Sequence, residues 1–158
     1  MSTVKEAVDV EIPLRMAYNQ WTQFEQFPNF MEGVDEVRQL DDRHNHWTTS
    51  IGGVRREFDT EIVDQLPNDR ITWRSVGGDT RQSGSVRFER LDDTRTRVEL
   101  TMEVETSGLA EKSADALGLI DRRVKGDMRR FKDYVEGEGG DTAGWRGRIR
   151  PEDPGTTL

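Results

Sequence analysis

Val4, Val8, Val10 and Ile12 alternate with Lys5, Asp9 and Glu11, a period of two that predicts an opening strand with one face on a core. Glu6 falls on the apolar side of that alternation and is its one discordant member. Pro13 then opens the segment Leu14 to Thr22, where Met16, Ala17, Gln20 and Trp21 recur at helical spacing. Proline suits a first helical turn because its missing N–H would be unpaired there anyway. Phe24, Phe27, Phe30 and Met31 follow, but Pro28 interrupts them, so a second short helix ending at Gly33 is predicted rather than one long helix.

Six strand-like runs come next: Val34 to Leu40, His46 to Ile51, Val54 to Leu66, Arg70 to Val76, Gln82 to Leu91 and Thr94 to Val104. Their separators are turn chemistry: Asp41-Asp42-Arg43, Gly52-Gly53, Pro67-Asn68-Asp69, Gly77-Gly78-Asp79 and Asp92-Asp93. Connections this short predict an antiparallel meander. After Gly108 the period changes. Leu117, Ile120, Val124, Met128, Phe131 and Val135 step by threes and fours, giving an amphipathic helix of about 25 residues whose apolar stripe must lie on a sheet. From Gly137 the composition turns to glycine, proline and charge. The chain is therefore read as one domain, residues 1–136, and a flexible polar tail, residues 137–158, in which Trp145 and Ile149 are the residues able to dock.

Composition narrows the class. At 158 residues one core is expected. The absence of cysteine excludes disulfides, thiolate metal sites and cysteine nucleophiles. A balance of 31 acidic against 23 basic residues, net -8, repels phosphate backbones, so nucleic acid is not expected as a partner. Met1 to Val10 has no basic segment leading into an apolar run, and no stretch approaches the roughly 18 apolar residues that span a bilayer. A cytoplasmic protein without integral membrane association is the expectation.

Particular phrases carry a family likeness. Ile12-Pro13 with Tyr18 to Trp21, then Phe27-Pro28-Asn29-Phe30-Met31, resembles the opening of the bacterial polyketide cyclase/dehydrase branch of the START and birch-pollen-allergen superfamily, also called SRPBCC. Ile71-Thr72-Trp73-Arg74-Ser75, Ser83 to Phe88 and Thr94 to Val98 are similar to that branch's mid-strand phrases, and the likeness covers about residues 3 to 136. It implies an α+β helix-grip fold: a bent, antiparallel seven-stranded sheet around a long C-terminal helix, with two short helices and a ligand-sized cavity between sheet and helix. These phrases occupy core and turn positions, and fold does not select activity.

With such a fold, inward positions decide what binds. Alternation groups Trp47 with Thr49 and Ile51, Phe58 with Thr60 and Ile62, and Trp73 with Ile71 and Ser75. It likewise groups Val86 and Phe88 with Gly84, and Leu100 and Met102 with Val98 and Val104. Leu117, Ile120, Val124 and Met128 are the helix's contribution to the wall. A mainly apolar lining suits a flat aromatic or lipid-like ligand; the same residues would also serve as a solid core.

Few groups offer chemistry. His44 and His46 beside the Asp41 turn fit an exposed hairpin and are too few ligands for zinc; turned inward, His46 would be the best general acid or base. Arg55 and Arg56 are neighbours on a strand, so one faces inward; inward Arg56 would bind a carboxylate or enolate oxygen, while outward it would pair with Glu57, Glu61 or another acid. Tyr18, Glu6 and Asp64 are the remaining candidates, and Tyr134 has a phenol to offer. No serine has a histidine and acid partner by sequence, neither glycine pair is a phosphate loop, and no motif calls for a cofactor or metal. Three readings stay open: binding of a hydrophobic aromatic polyketide-, lipid- or isoprenoid-like molecule; a polyketide cyclase/dehydrase using an inward acid/base residue; and a protein-protein interaction module with a vestigial pocket, whose Phe24 to Met31 segment is a partner surface rather than a gate.

Overall fold

A computed structural model describes residues 2–51, 53–78, 81–104, 113–137 and 147–151. Seven strands form one antiparallel sheet: β1 Ser2–Val10, β2 Val34–Gln39, β3 His44–Ile51, β4 Val54–Leu66, β5 Arg70–Gly78, β6 Gln82–Asp92 and β7 Arg95–Val104. Their order is β1-β7-β6-β5-β4-β3-β2, a meander from β2 to β7 with β1 returning to pair along β7. α1 spans Leu14–Trp21, a 3-10 helix spans Phe24–Asn29 with Pro28 inside it, and α2 spans Ser113–Gly137. This is the α+β helix-grip architecture.

The bend of the sheet has local causes. Register shifts fall between Val34 and Glu36, Asp59 and Thr60, Ile62 and Asp64, and Arg90 and Asp92. Each adds a residue to one strand and increases its twist. The long strands β4 and β6 thereby curl, and α2 lies in the concavity. Register then aligns the inner side chains in rows: Val4, Met102, Gly84, Trp73 and Ile62 in one, Glu6, Leu100, Val86 and Ile71 in the next. Glu6 is discordant because it looks at α2: a hydrogen bond with the Asp121 carboxyl raises its pKa from the usual carboxylate value.

Several strand ends shift by a residue or two from those the residue pattern predicts, β3 opening at His44 rather than His46, and two regions depart further. Gly77 and Gly78 belong to β5 rather than to a turn, opposite Asp59 and Phe58 of β4; Gly78 takes φ 109°, a conformation glycine adopts without strain. Within the span expected as a tail, residues 138–146 and 152–158 lie outside those described, Trp145 among them. Ile149 does not hang free. It is 2% exposed and bridges Gln65 through two backbone hydrogen bonds, Gln65 N–H to Ile149 O at 2.8 Å and Ile149 N–H to Gln65 O at 3.0 Å. The reason is an unpaired edge: β3 begins at His44 opposite Glu61, so β4 beyond that point has free backbone groups to satisfy.

Candidate functional site

Between the concave sheet and the first half of α2 lies a cavity of about 460 Å³, with Phe24, Phe27 and Met31 along its β2 side. β3 contributes Asn45, Trp47 and Thr49; β4 contributes Arg56, Phe58 and Thr60. Trp73 comes from β5, Leu100 and Met102 from β7, and Ile120, Val124 and Met128 from α2. These include most of the wall positions that alternation predicts. The Trp47 and Phe58 rings stack in parallel, 5.9 Å apart at 5°, because the two residues are directly opposed across β3 and β4. Trp47 Nε1–H donates to Thr60 Oγ1 at 2.8 Å, which fixes the indole. Gly84 gives Trp73 its place: a Cβ there would lie 2.5 Å from the indole.

Two predicted wall residues are elsewhere. Val86 and Phe88 are buried but do not line the cavity; over Phe88 lies α1, with Tyr18 edge-on at 5.4 Å and Trp21 at 6.4 Å. They are core. The Leu117 side chain lies outside the described residues.

The candidate chemical groups separate cleanly. His46 does not face the cavity; alternation sends Asn45 and Trp47 inward and His46 to the opposite face. There its Nδ1 meets Asp59 at 2.6 Å and its Nε2 meets Glu57 at 3.1 Å. Arg56 does face the cavity and makes no ion pair among the described residues. The acids named as its outward partners are engaged elsewhere, Glu57 with Arg55 at 3.8 Å and Glu61 with Arg74 at 3.3 Å. Tyr18 hydroxyl accepts from Gln65 Nε2 at 2.9 Å, Tyr134 donates to Gln26 at 3.0 Å, and Asp64 binds Arg70 at 2.6 Å. None of the three lines the cavity.

Among polar lining groups the residue pattern missed Asn45, Gln82, Arg123 and Asp127. Asp127 is an acid on the inner stripe of α2, where burial raises its pKa although the Arg130 guanidinium and the Glu32 N–H bind it. Glu32 in turn pairs with Arg123 at 3.3 Å and Arg130 at 3.2 Å, and Arg130 Nε donates to Phe30 O at 2.9 Å. This clasp ties the turn before β2 to α2 beside the cavity. Its sequence signal was Asp127 at helical spacing from Val124 and Phe131, among basic neighbours. Among the described residues no group of histidines and acids is arranged to hold a metal.

A bent sheet gripping a helix over an apolar cavity defines the START-like helix-grip class. The chain belongs to the polyketide cyclase / dehydrase and lipid transport family, whose model matches residues 10–133. An uncharacterised 17.2 kDa protein of Streptomyces lincolnensis, from the melC2–rnhH intergenic region, is 48% identical over 149 residues, covering 94% of this chain and 99% of that protein. The Zhui aromatase/cyclase of a Streptomyces species shares the fold with a TM-score of 0.72 at 16% identity, over 89% of this chain and 98% of that one. A START superfamily protein of Mycobacterium smegmatis shares it with a TM-score of 0.62 at 18% identity, over 81% and 97%. No described helix is long and apolar enough to cross a membrane.

Proposed function

We propose that the protein binds a hydrophobic small molecule, aromatic polyketide-, lipid- or isoprenoid-like, in this cavity, and works as a cytoplasmic carrier, chaperone or sensor. The observation that carries the reading is the cavity itself: about 460 Å³ walled by Trp47, Phe58, Trp73, Leu100, Met102 and Met128. That volume falls in the range of roughly 300–1,000 Å³ typical of small-molecule sites. Arg56, inward and without an ion pair among the described residues, supplies a guanidinium for an acidic or carbonyl oxygen of the ligand.

Binding is favoured over cyclisation or dehydration because an acid/base mechanism needs a titratable group in reach of the substrate. His46 is on the other face, and Asp127, the acid that lines the cavity, is held by Arg130 and Glu32. A partner-surface role for Phe24 to Met31 lacks an apolar patch, since Phe24, Phe27, Phe30 and Met31 are all buried. The test is native mass spectrometry of protein purified from its own host, with extraction and identification of any retained molecule. One hydrophobic molecule per chain is expected. The same protein should brighten 1-anilinonaphthalene-8-sulfonate, with Arg56→Ala weakening that anionic dye on the order of tenfold. An empty protein that leaves the dye dark sinks the reading.

A further inference from the structure

Asn45 is 3% exposed, lines the cavity, and leaves its Oδ1 without a hydrogen-bond partner among the described residues. A buried oxygen in this condition carries its full desolvation penalty, and folded proteins retain few. Its cross-strand neighbour Thr60 already accepts the Trp47 indole N–H. The position is also remote from the cavity's exposed rim. That rim includes Val54, 48% exposed, at the far end of the β3–β4 hairpin. Arg56 is paired with Thr49, four residues along β3 from Asn45, which is about 13 Å at the rise of a strand. The wall thus offers a cation near the rim and an unmet carboxamide at the inner end, with the Trp47 and Phe58 rings between.

We propose that Asn45 selects the ligand. The molecule held in the cavity presents an O–H or N–H donor to Asn45 at the inner end and an acidic or carbonyl oxygen to Arg56 about 13 Å nearer the rim. This rests on the binding reading and adds to it a polarity and a length. A purely hydrocarbon tail reaching Asn45 would leave the penalty in place; a donor there removes it.

Two rigid probes isolate the donor: 2-naphthoate and 6-hydroxy-2-naphthoate, titrated calorimetrically into the full chain and into Asn45→Leu. The hydroxylated probe is expected to bind the native protein on the order of tenfold more tightly. Asn45→Leu should bring the two probes to equal affinity while keeping that for 2-naphthoate. It should also unfold at a higher temperature without ligand, because a polar group kept for binding detracts from stability. Equal binding of both probes to the native protein overturns the donor role and leaves the cavity reading standing. A less stable or unfolded Asn45→Leu, seen by circular dichroism, makes Asn45 structural and overturns it as well. Failure of both probes to bind the native protein at millimolar concentration removes the cavity reading and this proposal together.

Discussion

His46 has a carboxylate on each ring nitrogen, Asp59 on Nδ1 and Glu57 on Nε2, and both nitrogens donate only when the ring is cationic. The hydrogen bond to Asp59 is the main cause that raises its pKa above 6.5, with Glu57 adding to it. The sign follows. A histidine whose folded pKa is raised contributes stability that is fully present below its unfolded value near 6.5 and lost as pH rises through the folded one. Urea unfolding should therefore show stability falling as pH rises above about 6.5. His46→Gln should flatten that fall, by under about 1 kcal/mol because both carboxylates are half exposed; an unchanged slope would contradict the pairing. Period-two alternation is enough to say that His46 and Trp47 face opposite ways, but not which of them sees the helix. That choice depends on α2, which also explains Glu6: its partner Asp121 is remote in sequence, and no local pattern announces it.

Among the elements, the strands and the long helix were legible because each repeats its period over many residues, from Val54 to Leu66 and from Ile120 to Val135. Gly77 and Gly78 are the misjudged pair: they read as a turn by composition, yet β4 is long enough to hold them in β5. Ile149, legible as an apolar residue able to dock from a polar span, finds its place only in the fold, where the free edge of β4 offers it two hydrogen bonds and a buried seat. Ile149→Ala should then destabilise the protein by about 2–4 kcal/mol in urea, as for other buried aliphatic side chains. Leu119→Ala, at a residue 38% exposed, should stay within about 0.5 kcal/mol. Similar small losses from both would mean that Ile149 is not part of the core.

Taken across the whole molecule, one concave face is divided between two tasks. At the α1 end, Tyr18, Phe88 and Phe131 close edge-to-face around Trp21, whose indole also lines the cavity's boundary. Toward the Val54 hairpin the same sheet keeps about 460 Å³ open. Sequence alternation treats Phe88 and Trp73 alike, since both point inward; what distinguishes them is that the Tyr18 and Trp21 rings pack directly on Phe88, while Trp73 lines the open space. Stability and affinity should therefore be separable by mutation. Phe88→Leu is expected to lower stability on the order of 1–2 kcal/mol while leaving ligand binding intact. Trp73→Ala should weaken binding instead. Scanning thermal unfolding reads both at once, because a ligand at a hundred times its Kd adds about 2.7 kcal/mol to the folded state. For a chain of this length that is a rise of roughly 5–10 °C. With saturating 2-naphthoate, Phe88→Leu should melt lower than the native protein yet show the full rise, and Trp73→Ala should show a reduced one. The opposite assignment, a rise lost in Phe88→Leu and kept in Trp73→Ala, would place the ligand at the α1 end and contradict the division.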